Sequence, residues 1–136
     1  MLFRSTWCVC GTWDLSIKRD ESAGMRLLRL RSKLKEMVEQ HGIRVVVYER
    51  VAGRFQSATN VASELVSVVK VFCEDNGIEY KAYSASEIKK AATGKGNASK
   101  KMMIDSAKEK YDYKGDDDNE ADALHLYHLA KTDLGI

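Results

Sequence analysis

Proline is absent from this 136-residue chain, so no residue forces a break in helix or strand, and a body of mostly regular elements is expected. Cysteine is scarce and odd in number, at three. With no framework spacing, it excludes a disulfide-stapled secreted domain and points to a reduced, cytosolic compartment. Cys8 and Cys10 stand in C-x-C spacing with no second pair and no nearby His. Two thiols on one face of a strand is therefore the better reading than a zinc site. A sustained apolar run is missing too: the opening MLFRSTWCVC makes neither a signal peptide nor a membrane span. The net charge of +2 is too small to argue for a nucleic-acid partner by itself.

What is present reads as one soluble globular domain over residues 1–136, with 44% hydrophobic and 31% charged residues and a small core. The charge is unevenly spread. Residues 89–101 carry Lys89, Lys90, Lys95, Lys100 and Lys101 and no acid. The chain then turns acidic at Asp112, Asp116, Asp117, Asp118, Glu120 and Asp122.

Periodicity predicts an α/β order. Residues 5–15, STWCVCGTWDL, are rich in strand formers, and Gly11 suggests a strand or bent hairpin arm. Leu27, Leu30, Leu34, Met37 and Val38 recur at helical spacing over 21–41, and His41-Gly42 supplies the stop. IRVVVYERV, residues 43–51, has the β-branched, near-continuous apolar character of a strand covered on both faces. Ala58, Val61, Ala62, Leu65, Val69 and Phe72 form the stripe of a second long helix, closed by Asn76-Gly77, and 78–83 is a further strand. Strands joined by long helices should run parallel. Three helical pieces follow, near 86–92, 98–110 and 119–132, separated by a Gly-rich loop at 93–97 and an acidic loop at 111–118.

Three places could carry chemistry. Glu49 closes the apolar strand, either as an ordinary solvated strand end or as a ligand at the carboxyl edge of a sheet, where open α/β sheets place their sites. In DDDNEADALHLYHLA, residues 116–130, Asp122 falls near the start of an otherwise apolar helix. An acid there suits the helix dipole, but crowded carboxylates repel one another unless a cation or basic partner is near. Oxygen donors of this kind suit a hard divalent cation. The segment 86–104 offers lysines to phosphates on a Gly-rich turn, or is simply a solvated loop; it lacks the order of a P-loop. His125 and His128, at i and i+3 beside leucines, read as packing or surface residues rather than ligands, and Trp7 and Trp13 read as core.

Taken together and in order, GTWDLS (11–16), VVYERV (46–51), IKKAATGKGNASK (88–100) and DDNEADAL (117–124) resemble the RuvC branch of the RNase H-like superfamily, in particular its phage-type resolvases. The resemblance covers nearly the whole chain. It implies a mixed sheet flanked by helices and an endonuclease that resolves four-way (Holliday) junctions in DNA. In such nucleases four acids hold two Mg²⁺ ions, with Mn²⁺ as a substitute, about 4 Å apart across the scissile phosphate. By resemblance Glu49 takes the strand position and Asp122 the last-helix position. The family's third acid lies three residues before Asp122, where this chain has Asn119. Asp118 is the nearest substitute, with Asn119 and Glu120 as alternatives. Lys89 and Lys100 match basic positions near the reacting phosphate, and Lys90, Lys95 and Lys101 would be backbone contacts.

The family's fourth acid sits on an opening strand resembling A-L-D-L-G-T, before the GTWDLS match, and the ten residues ahead of Gly11 contain no acid. The expectation is therefore a domain incomplete at its first strand and a cation site short of one ligand. Branched DNA and a second copy of the chain are the implied partners, with no membrane and no small-molecule cofactor. A bacterial cytoplasm hosting a phage or prophage is the implied location. Two alternatives stand beside this reading: a non-catalytic nucleic-acid-binding remnant, and an RNase H-like nuclease with another substrate.

Overall fold

A computed structural model describes residues 10–53 and 56–136. Cys8, Trp7 and the 5–9 part of the expected opening strand lie outside the described residues, as does the side chain of Ala58. The chain divides into two compact units, one formed by residues 13–82 and the other by residues up to 12 together with 83–136.

The first unit is an α-β-α-β run. Helix α1 (Gly24–His41) buries Leu30 and Leu34, one turn apart, so both side chains point the same way. It ends where Gly42 adopts φ +62° and returns its N–H to the Val38 carbonyl at 2.9 Å; a Cβ would be strained in that left-handed cap. Strand β1 (Val45–Glu49), helix α2 (Gln56–Asn76) and strand β2 (Glu79–Tyr83) follow. The two strands form a small parallel sheet, as the helical crossover between them requires. Val69, Phe72 and Cys73 of α2 meet Leu30 and Leu34 of α1 in a core closed by Ile78. Each large side chain there contributes about 2 kcal/mol by leaving water.

The second unit is helical: α3 (Ala85–Thr93), α4 (Lys100–Tyr111) and α5 (Asp118–Leu134) pack on one another. Each starts on a side-chain cap. Ser84 and Glu87 form a reciprocal capping box, Ser99 accepts from the Met102 N–H, and Asp117 accepts from the N–H groups of Asn119 and Glu120. Ala107 and Ala121 are fully buried among Tyr113 and Leu124, and these methyl-sized residues let α4 and α5 approach closely.

The helices and the 45–49 and 79–83 strands match the periodicity within a residue or three. Two expectations are corrected. Residues 10–15 form no regular element: Asp14 Oδ1 accepts the Ser16 N–H at 3.0 Å, a local side-chain turn that competes with strand pairing. Trp13 is 38% exposed, not core. The 45–49 strand is also half-buried rather than covered on both faces, because among the described residues its sheet has two strands only.

Candidate nucleic-acid and cation site

The acidic segment is sorted by its hydrogen bonds. Asp112 pairs with Lys114 at 2.7 Å and Asp116 with Lys108 at 2.9 Å. Asp117 is spent on capping α5, accepting from Asn119 N at 2.7 Å and Glu120 N at 3.2 Å. Glu120 has both carboxylate oxygens engaged: the Thr12 hydroxyl donates to one at 2.9 Å and the Tyr113 hydroxyl to the other at 3.0 Å. Tyr113 is buried, and its ring lies over Gly115, where an added Cβ would come 2.5 Å from the phenolic oxygen. That glycine is required by close approach, since its φ is not positive. The pair ties the acidic loop to the first turn of α5.

Asp118 and Asp122 both stand on α5 itself. They are four residues apart on α5 and so project from one face, one above the other. Asp118 stands in the first turn of the helix and Asp122 one turn further along. Asp118 is partly exposed, and its Oδ2 stands 3.9 Å from the Lys100 ammonium. Asp122 is half-buried, with Oδ1 sealed from solvent. Asn119 shares the face of Asp122 at i, i+3, whereas Glu120, two residues from Asp122, faces elsewhere.

The lysines cluster in the same unit. Lys89 is half-buried on α3, and Lys90, Lys95, Lys100 and Lys101 are exposed. The loop that joins α3 to α4 begins at Gly94, φ +86°, whose N–H closes on the Lys90 carbonyl at 2.8 Å. Its other glycine, Gly96, lies against Ser86, where a Cβ would come 2.6 Å from the hydroxyl oxygen. The glycines thus fold the loop onto α3 and leave the lysine side chains outward. Lys101 meets Asp105 at 3.3 Å, an exposed pair that holds its charge weakly.

Glu49 is the last residue of β1 and is exposed, at the carboxyl end of its strand. It belongs to the other unit from Asp118 and Asp122. Among the described residues no three His, Cys, Asp or Glu side chains stand together as a metal-holding group. The donor chemistry of Asp118 and Asp122, hard oxygens on one helix face, nevertheless fits a divalent cation such as Mg²⁺.

His125 is a packing residue with a defined tautomer. It is 2% exposed, and its Nε2 lies 3.0 Å from the Met103 carbonyl, which can only accept, so Nε2 carries the proton. Nδ1 is buried with no hydrogen-bond partner. Tyr111 meets His125 edge-on and stacks flat on His128 with centroids 3.7 Å apart. Burial pulls both imidazoles below their ordinary pKa, with the nearby Lys110 and Lys131 charges acting in the same direction.

Several residues that shape the site carried no sequence signal. Thr12 and Tyr113 act through Glu120, and Ser106 and Lys110 through the Ala92 carbonyl, and only the fold brings those partners near.

Among known proteins, a family model described as crossover junction endodeoxyribonuclease RuvC matches residues 5–126. The crossover junction endodeoxyribonuclease RuvC of Corynebacterium glutamicum is 34% identical over 86 residues, 62% of this chain and 38% of that protein. The protein of the same description from Corynebacterium efficiens matches to the same extent, so the chain spans well under half the length of these relatives. In three dimensions it is similar to T. thermophilus RuvC in complex with Holliday junction substrate, with a TM-score of 0.74 and 21% identity over 89% of this chain and 76% of the other. A second Thermus thermophilus RuvC structure gives a TM-score of 0.70 at 18% identity, over 88% and 75% of the two chains. At these identities the structural likeness establishes the fold, and the family-model match, spanning most of the sequence, establishes descent: the chain belongs to the RuvC family.

Proposed function

We propose that this protein is a divalent-cation-dependent endonuclease acting on four-way DNA junctions. The observation that carries the reading is the meeting of two helix starts of opposite charge. The first turn of α4 presents Lys100 and Lys101, the first turn of α5 presents Asp118 with Asp122 one turn further along the same face, and Lys100 stands 3.9 Å from Asp118. Lysines hold the phosphates of the DNA backbone, while the acids hold a cation against the reacting phosphate. The relatives' description as crossover junction endodeoxyribonucleases and the junction-bound structural neighbour support the same substrate.

In this reading Glu49, Asp118 and Asp122 hold Mg²⁺, with Mn²⁺ as a substitute. The cation supplies charge to stabilise the leaving oxygen and lowers the pKa of the attacking water. The chain's own residues do the rest. Lys89 and Lys100 orient the reacting phosphate, and Lys90, Lys95 and Lys101 hold the flanking backbone. The Thr12–Glu120–Tyr113 bonds keep the α5 start in place. Two nicks in opposed strands call for two sites, hence a homodimer of this chain. A soluble protein of a bacterial cytoplasm, of phage or prophage origin, completes the reading. Its support is the motif resemblance.

The test is cleavage of a labelled four-way junction and of a matched linear duplex in Mg²⁺ by the protein and by its D118N and D122N variants. Junction-selective nicking lost in both variants is the expected result. Equal cutting of both substrates would make the protein a nuclease with a different substrate. A second reading, a junction binder without catalysis, is favoured by the lack of a three-acid cluster among the described residues. Salt-dependent junction binding without any nicking would select it.

A further inference from the structure

The lysines of the second unit are not alike in what they touch. Lys101, Lys108 and Lys114 meet carboxylates at the surface. Lys110, on α4, reaches across to the end of α3, where its ammonium donates to the Ala92 carbonyl at 2.5 Å and lies 3.5 Å from that of Ala91. Ser106, one turn earlier on the same face of α4, donates its hydroxyl to the Ala92 carbonyl at 2.7 Å. The last carbonyls of a helix have no partner within it. Three of those in α3 are served from outside it: Gly94 N–H donates to Lys90 O at 2.8 Å, and α4 serves Ala91 and Ala92. A cation at this end also suits the helix dipole.

We propose that Lys110, seconded by Ser106, is a positioning residue for DNA binding: it does not contact DNA but clamps the end of α3 to α4. The clamp closes the base of the 94–99 loop and fixes Lys89 and Lys90 of α3 against Lys100 and Lys101 of α4. An array of lysines binds a phosphate chain best when their spacing is set in advance, because ordering them on contact costs side-chain and loop entropy. The proposal rests on the reading of these lysines as phosphate contacts.

The salt dependence of binding separates a positioning lysine from a contacting one. Each phosphate contact contributes close to one to the slope of log K against log salt, whereas a residue that only positions the others leaves the slope alone. Binding of a fluorescent four-way DNA junction is measured over a salt series for the wild type, K100M, K110M, K110R and S106A. K110M is expected to bind about threefold to tenfold more weakly, the range set by one lost hydrogen-bond interaction, at unchanged slope. K100M is expected to lose about one from the slope. K110R, which keeps a two-pronged donor, returns to near wild type, and S106A shows a smaller loss than K110M at unchanged slope. Amide hydrogen exchange over residues 91–99 reads the clamp without DNA. Protection should fall in K110M and recover in K110R, while circular dichroism confirms that the variants stay folded. If K110M lowers the slope as K100M does, Lys110 is a phosphate contact and the proposal is overturned. Unchanged affinity, or unchanged exchange, overturns it as well. If the wild type binds no junction at low salt, the DNA reading itself fails, and the exchange experiment alone then decides whether the clamp exists.

Discussion

His125 makes the helical unit sensitive to acid, in a window that its surroundings define. In the unfolded chain the imidazole takes a proton near its ordinary pKa of 6.5. In the folded chain burial opposes the charged form most strongly and the Lys110 charge opposes it further, while the Met103 carbonyl favours it, and the net direction is down. The unfolded state therefore binds more protons than the folded state between the two pKa values. Stability is intact above 6.5, falls as pH drops below it, and stops falling below the folded pKa. Each pKa unit of separation is worth about 1.4 kcal/mol. The structural origin is the proton's destination: Nε2 already holds one, so the second must go to Nδ1, which is buried without an acceptor. An unsatisfied buried donor costs about 1–3 kcal/mol. Gln at this position can still donate to Met103 but does not titrate. The assay is urea unfolding of wild type and H125Q at pH 7.5, 6.5 and 5.5, above the range where most carboxylates protonate. His128 shifts in the same direction and contributes to both proteins, so the quantity to follow is their difference. The wild type should lose ground to H125Q as pH falls. A difference that stays constant across the series would refute the argument.

Two further outcomes follow from packing and capping. Gly115→Ala should cost about 1–3 kcal/mol, the range for forced overpacking, because the new Cβ meets the Tyr113 ring that is tied to Glu120 and Asp117; an unchanged melting temperature would show that the loop yields freely. Ser84→Ala removes one half of the α3 capping box and should cost about 1 kcal/mol, read as a lower urea midpoint, with Ser84→Asp holding close to wild type.

The regular elements were legible because their signals are local. The α1 and α2 stripes repeat at helical spacing, and the run 43–51 has the side chains of a strand. Stops such as Gly42 and Gly77 announce themselves by residue type. The opening segment misled because STWCVCGTWDL has strand propensity, while the backbone at 14–16 follows an Asp14 side-chain bond instead. Residue type alone points Trp13 to the core, whereas its exposure depends on what surrounds it. Within the candidate site, Lys100 and Asp118 stand at helix starts that the sequence marked, so their approach follows from where α4 and α5 begin. That Glu120 has both carboxylate oxygens held by Thr12 and Tyr113 lay beyond the sequence. Neither partner lies within one helical turn of Glu120 in sequence.

The Thr12–Glu120 bond joins residues 108 positions apart, and it has a consequence for the order of folding. The unit that contains it is built from two stretches of chain, with residues 13–82 forming the other unit in between. Bringing Thr12 to α5 while those roughly seventy residues are still a flexible loop costs about 4 kcal/mol in the length-dependent part of closure entropy. Once the 13–82 segment has folded on its own contiguous contacts, that loop is replaced by a body with a fixed distance between its ends. The economical route therefore runs from the inserted unit outward. Destabilising Phe72 or Leu34, which lie in the other unit from Asp118, Asp122 and the lysines, should slow the assembly of a helix bundle to which neither residue belongs.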